Sequence, residues 1–241
     1  MISEVQEGRI TDYLVSQNLS LDILIEIRDH MIQQIIDVQI ELNLNFEEAF
    51  TRVKESWSGE FKMVSYQLFF PMKIPLLARR IIKEKYNTFL KKSLMIALLS
   101  FGVNLMLISM AKSEYEYTIF FRLLNGAFLL AAGSAWILNF KIWKYMRADF
   151  KYKGKCFYTM YQQNISLMVI CSLSMMQVEM KNGNYVYQFF KEHNHSEILP
   201  VLLTLLIPFI LQAGVVFTLF NFFEHKKNLV KMQNFLTSSA Q

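Results

Sequence analysis

Apolar positions recur at helical spacing through the first part of the chain. Leu24, Ile27, Met31, Ile35, Val38 and Leu42 follow one another at intervals of three or four residues, which keeps their side chains on one side of a helix. They predict a helix over about 21–42, with Ser20 as its N-cap. Ile25, Ile32 and Ile36 form a second stripe that makes this apolar face wider than one neighbour would cover. Asn45 opens the next helix, with Glu48 three residues on completing a capping-box pair. Its stripe of Phe46, Phe50, Val53, Trp57, Phe61, Val64 and Leu68 carries the helical spacing through Gly59. A shorter helix around 3–17, bearing Val5, Ile10, Tyr13 and Leu14, completes a three-helix domain over residues 1–68, with Asn43-Leu44 as its tight corner.

Further along, the spacing gives way to continuous apolar runs. Four are long enough to cross a bilayer core, which takes about 20 helical residues: roughly 93–111, 117–140, 157–178 and 198–223. Between the N-terminal helices and the first run, Pro71 and Pro75 break helical hydrogen bonding and bias the residues before them toward extended backbone. A basic amphipathic helix follows the hinge, with Leu77, Ile81, Ile82 and Phe89 on one side and Arg79, Arg80, Lys83, Lys85, Lys91 and Lys92 on another. It is suited to lie on anionic lipid before turning into the first span. The expected class is therefore an all-α integral membrane protein. Its parts are an N-terminal cytoplasmic three-helix domain, a hinge and juxtamembrane helix over 69–92, a four-helix transmembrane bundle over 93–223, and a tail over 224–241.

Composition agrees. Of 241 residues, 53% are hydrophobic and 19% charged, too apolar for an ordinary soluble domain. Charge adds orientation, because loops rich in Lys and Arg stay in the cytoplasm. The six bases before the first span, those between the second and third (Lys141 to Lys155) and Lys226, Lys227 and Lys231 after the fourth stand against connections at 112–116 and 179–197 where acids outnumber bases. Both termini are expected in the cytoplasm. The first 20 residues lack the basic start and apolar run of a cleavable signal, so the spans themselves would direct insertion. Charge also divides the chain: residues 1–60 hold 12 acids and 4 bases, net −8, and the remainder 8 acids and 21 bases, net +13. An acidic domain is repelled by anionic lipid and by nucleic acid; a protein partner or a second copy is the expected ligand.

Little else suggests chemistry. Arg122 is the one charge inside an expected span, near its end, where a long side chain reaches water. Asn104, Asn125, Ser134, Gln162, Gln163, Asn164, Gln177 and Gln212 are neutral and suit hydrogen bonds between helices. Ala127, Ala131 and Ala135 mark the second span as a packing helix, as do Gly214 and Thr218 the fourth. Pro200 and Pro208 should remove two ladder bonds and bend the fourth, next to Gln212. Cys156 and Cys171, 15 residues apart on one expected helix, cannot pair. His30 shares a polar helix face with Glu26, Gln33, Gln34 and Asp37, with no second ligand in reach, and reads as a surface or docking residue. The loop EHNHSE at 192–197 reads as solvated. His225 beside Glu224 is the sole catalytic candidate on the cytoplasmic side. No catalytic residue, cofactor or metal is expected; the expected docking residues are Ile25, His30, Ile32, Ile36 and Trp57.

The stretches IEIRDHMIQQI and NLNFEEAFTRV, separated by a short Asn-containing turn, resemble the HAAS-type three-helix domains. The resemblance covers about residues 10–60. It implies a cytoplasmic N-terminal module on a bacterial multi-span membrane protein, of a kind found beside PadR-type regulators or fused to permeases, and hence a regulatory or sensing role.

Overall fold

The computed structural model describes residues 2–67, 70–142, 157, 159–179, 183–193 and 198–238. The chain is mostly helical. Its helices are α1 (Glu4–Ser16), α2 (Leu21–Leu42), α3 (Phe46–Trp57), α4 (Leu76–Met110), α5 (Glu114–Leu138), α6 (Ile165–Glu179), α7 (Asn184–Lys191) and α8 (Ile198–Ser238), with a hairpin of β1 (Met63–Gln67) and β2 (Phe70–Pro75) between α3 and α4. The chain divides into two compact units. One comprises Met1–Tyr86, Lys144–Gln162 and His225–Gln241, the other Asn87–Trp143 and Gln163–Glu224.

In the first unit, α1, α2 and α3 close on a shared core. Leu24, Met31 and Ile35 of the expected stripe are fully buried, with Ile10 and Leu14 of α1 and Ala49, Phe50 and Val53 of α3. Tyr13 meets the Phe50 ring edge-on at 5.9 Å. Both N-terminal capping boxes form, Ser3 with Gln6 and Asn45 with Glu48, supplying partners to amides that have none within the helix. Asn43 takes the left-handed conformation, φ 49°, at the corner, a backbone region that asparagine tolerates better than most residues. Two expectations fail here, and that for Ser20 holds in position alone. Val5 is 75% exposed, so α1 rests on Ile10 and Leu14. Ser20 sits at the N-cap position of α2 without capping it. And α3 stops at Trp57: a turn through residues 58–61 carries Phe61 back into the core, and Val64 belongs to β1. Leu68 lies outside the described residues.

The hairpin is antiparallel, with Val64 opposite Ile74 and Met63 opposite Pro75. Alternation of Val64 and Tyr66 suits a strand as well as the helical spacing suited a helix, and the prolines settle the choice by excluding helix on the other side. Pro75 ends β2 and α4 begins at the next residue.

α4 runs unbroken for 35 residues, about 52 Å at 1.5 Å per residue. The expected turn between a juxtamembrane helix and the first span is therefore absent: basic segment and apolar segment are one rod, longer than the roughly 30 Å of a hydrocarbon core. Among the described residues three helices are long and apolar enough to cross a membrane: α4, α5 and α8. The expected third span is shorter than its apolar window. Residues 162–164 form a 3-10 turn, and α6 has 15 residues, about 22 Å. Cys171 lies within α6; position 156, its expected companion, lies outside the described residues.

In the second unit, apolar side chains face outward as readily as inward. Leu99 is 71% exposed, Leu130 74% and Ile210 63%, a surface that suits lipid and would aggregate in water. The small-residue stripe of α5 splits: Ala135 is buried and Ala127 and Ala131 are exposed, so the packing face runs through Tyr117, Phe121, Asn125, Ala132 and Ala135 instead. Val186 and Tyr187 of α7, within a connection expected to be a loop, join Ile108, Tyr117, Phe121 and Val201 in one cluster. α8 continues through Pro208. Pro200 lies in its first turn, where backbone N–H groups have no helical acceptor, so Pro208 removes a ladder bond and Pro200 does not. At Gly214 a β-carbon would come within 2.7 Å of the Cys171 sulfur, which accounts for the small residue there.

Candidate functional site

The expected docking residues occupy the rim of the three-helix core rather than one open patch. Ile25, Ile32 and Ile36 are half-buried, and His30 is exposed. Trp57, also half-buried, donates its indole N–H to Gln34 Oε1 at 2.7 Å, so its polar end is occupied within the chain. Ile40, 75% exposed, and Leu42, 45% exposed, continue the apolar edge to the end of α2. The basic residues Arg79, Arg80, Lys83, Lys85, Lys91 and Lys92 are all exposed along the first half of α4, and Arg80 also meets Glu60 at 3.2 Å.

A denser polar cluster lies in the same unit, at the start of α2. The Asp22 carboxylate accepts the Met160 N–H with both oxygens, each at 3.2 Å, and the Ile23 N–H at 3.0 Å. Leu21 donates its N–H to Phe157 O at 2.8 Å, and Tyr86 its hydroxyl to Met160 O at 2.5 Å. One residue before Met160, the buried Thr159 hydroxyl lies 2.8 Å from His225 Nδ1 and accepts the Tyr161 N–H. His225 is fully buried, and its Nε2 has no hydrogen-bond partner. The start of α2, residues 157, 159 and 160, and the start of the C-terminal segment are thus stitched together across great sequence separations.

Asp22 retains some solvent contact as a residue while its carboxylate is enclosed, and burial pushes its pKa up from 3.8 to about 6, against the pull of its hydrogen bonds. A raised carboxyl pKa means that the folded state holds the proton more tightly. The stability it supplies is present below about pH 4 and is lost as pH rises to about 6. Asp22→Asn keeps an oxygen for the Met160 N–H and removes the ionisation. It is expected to flatten the dependence of stability on pH between 4 and 6 and to stabilise the protein at pH 8 by on the order of 2 kcal/mol. Thermal melts of the two proteins across that range check this; parallel profiles would contradict it.

In the other unit the amides form rungs between helices. Asn104 accepts the Tyr117 hydroxyl at 3.2 Å. Gln212 donates to Asn125 Oδ1 at 3.0 Å, while Asn125 Nδ2 binds Phe121 O. Asn164 donates to Asn221 at 3.1 Å, a rung whose second member the periodicity did not single out. Asn125 and Gln212 are 1% and 4% exposed, so each amide is buried against the other. Arg122 is exposed, beside a groove with Leu123, Gly126 and Ala127. Replacing Asn125 and Gln212 by alanine, singly and together, is expected to give a coupling of about 0.6–2 kcal/mol in detergent unfolding titrations. Additive losses would contradict the pairing.

Among the described residues there is no group of three His, Cys, Asp or Glu side chains able to hold a metal. His193, in the left-handed region at φ 54°, follows α7, whereas His195 lies outside the described residues. Comparison with family models, with curated proteins and with solved structures finds no match to this chain.

Proposed function

We propose that this chain is a non-enzymatic, four-crossing protein of a bacterial inner membrane, with both ends in the cytoplasm. Its acidic three-helix head docks a protein partner or a second copy, and through it the protein regulates, senses or scaffolds. The carrying observation is the charge division, net −8 over residues 1–60 against +13 beyond. It favours basic surfaces on anionic lipid and a head held off it. The exposed arginines and lysines of α4 are the lipid contacts in this reading, and α6 with the turn before it is the fourth crossing. The similarity to HAAS-type modules supports the regulatory role. So do the bonds from Leu21 and Asp22 to residues 157 and 160, which give the head a mechanical link to the segment leading into α6.

Light scattering of the purified full chain in mild detergent tests the docking. The expected result is a dimer, or a stoichiometric complex after co-expression, that is lost in the double variant Ile36→Lys, Ile40→Lys. A partner-free monomer before substitution would overturn it.

A small transporter or an accessory subunit of a permease or other membrane complex is the second reading. The ladder bond missing at Pro208 and the cleft beside it favour this; the mutual pairing of Asn125 and Gln212 opposes it. Cysteine accessibility at those two positions separates the readings, since a transport path requires both to react with water-soluble thiol reagents.

A further inference from the structure

In the unit that holds the long apolar helices, the face of α8 around Pro208 borders a cleft of about 370 Å³. This is within the range of small-ligand pockets, roughly 300–1,000 Å³. Its apolar lining comes from Phe121, Leu203, Ile207 and Leu211, and its polar lining from Ser174, Gln177 and Thr204. Proline has no N–H, so the Thr204 carbonyl four residues before Pro208 loses the helical hydrogen bond that position 208 would otherwise donate. The Thr204 hydroxyl is committed elsewhere, donating to Pro200 O at 2.8 Å. A carbonyl deprived of its helical donor in an apolar medium is short of a hydrogen bond that a bound donor supplies. Beside it stand the Ser174 hydroxyl and the exposed Gln177 amide.

Two observations define what fits. None of the nine lining residues is charged, so the cleft offers no counter-charge to a phosphate or a carboxylate. The surface around it is also apolar, with Ile170 and Leu173 each 58% exposed and Leu202 and Leu206 near half-exposed. A ligand dissolved in water would have to cross that surface; one dissolved in the bilayer is already there. We propose that the cleft is a binding site for one acyl chain of a neutral bilayer lipid carrying a hydroxyl or amide donor at its head end, of the monoacylglycerol kind. The donor meets the Thr204 carbonyl and the Gln177 amide, and the chain lies along Ile207 and Leu211. The site is independent of head docking and rests on the apolar helices lying in a bilayer.

The test uses the full chain in nanodiscs of phosphatidylethanolamine and phosphatidylglycerol, with a monoacylglycerol bearing a diazirine on its acyl chain and a matched probe whose hydroxyls are methylated. The expected result is saturable labelling of peptides spanning 174–178 and 203–211, competed by unlabelled monoacylglycerol and not by a fatty-acid anion. Gln177→Trp, at an exposed position where folding is not at stake, should lower that labelling about ten-fold, the equivalent of 1.4 kcal/mol. Pro208→Ala supplies an N–H to Thr204 and should erase the preference for the hydroxyl probe over its ether. Labelling that does not saturate, that spreads equally to Leu99 and Leu130, or that ignores Gln177→Trp would overturn the site. An unchanged hydroxyl preference in Pro208→Ala would overturn the role of the carbonyl, and equal competition by the anion would overturn the neutral head.

Discussion

Met31→Asp is expected to unfold the three N-terminal helices while leaving the apolar helices folded. Met31 has no exposed surface and sits midway along α2, between the side chains of α1 and α3 that close the core. An ionised carboxylate there would lose its hydration with no partner, a penalty of several kcal/mol. That approaches the whole margin of a domain, about 5–15 kcal/mol. The chain can escape only by separating the helices. Limited proteolysis of the full protein in detergent should therefore cut within residues 1–60 of the variant and spare α5 and α8. Met31→Leu, which keeps volume and apolarity, should behave as the parent to within about 1.5 kcal/mol. Resistance of Met31→Asp to cleavage would mean that α2 does not bury this face.

The second large effect is at Tyr117. Its ring is fully buried, 6.1 Å from Phe121 and 6.4 Å from Tyr187, and it presses on Gly183, where a β-carbon would lie 2.6 Å from the ring. Tyr117→Ala leaves a cavity among α4, α5 and α7 and is expected to cost about 3–5 kcal/mol, as aromatic-to-alanine changes in cores do. Tyr117→Phe keeps the ring and removes the donor to Asn104. It should cost about 1–2 kcal/mol, the share of one hydrogen bond between helices. Denaturation in detergent mixtures measures both. Equal losses in the two variants would mean that the hydroxyl, rather than the packing, holds α7 in place.

The helices α1 to α3 were legible because their stripes are long and their caps local: Asn45 with Glu48 lies within one turn, and spacing over Leu24 to Ile35 admits no strand. The hairpin was hidden because Phe61, Val64 and Leu68 fit a helical period by coincidence, and a five-residue strand offers too few alternations to compete. The third apolar window was read as a full span because mean hydropathy absorbs Gln162, Gln163 and Asn164, which the structure places in a 3-10 turn. α7 was hidden by its charges, since Lys191 and Glu192 mark a loop while Val186 and Tyr187 carry the packing. The amides Asn104, Asn125 and Gln212 were recognised by type, but their partners follow only from helix rotation. Asp22 was the largest omission. In sequence it is one more acid in a first helical turn, favourable there for the helix dipole, and its partner Met160 is 138 residues away.

The number of membrane crossings decides where the acidic head lies, because α6 is short and α4, α5 and α8 are long. Reporters fused ahead of Met1 and after Gln241, each active on one side of the inner membrane only, count them by parity. Four crossings place both reporters in the cytoplasm, together with the acidic head. A C-terminal reporter active outside while the N-terminal one is active inside would leave α6 uncrossed and would contradict the proposed arrangement.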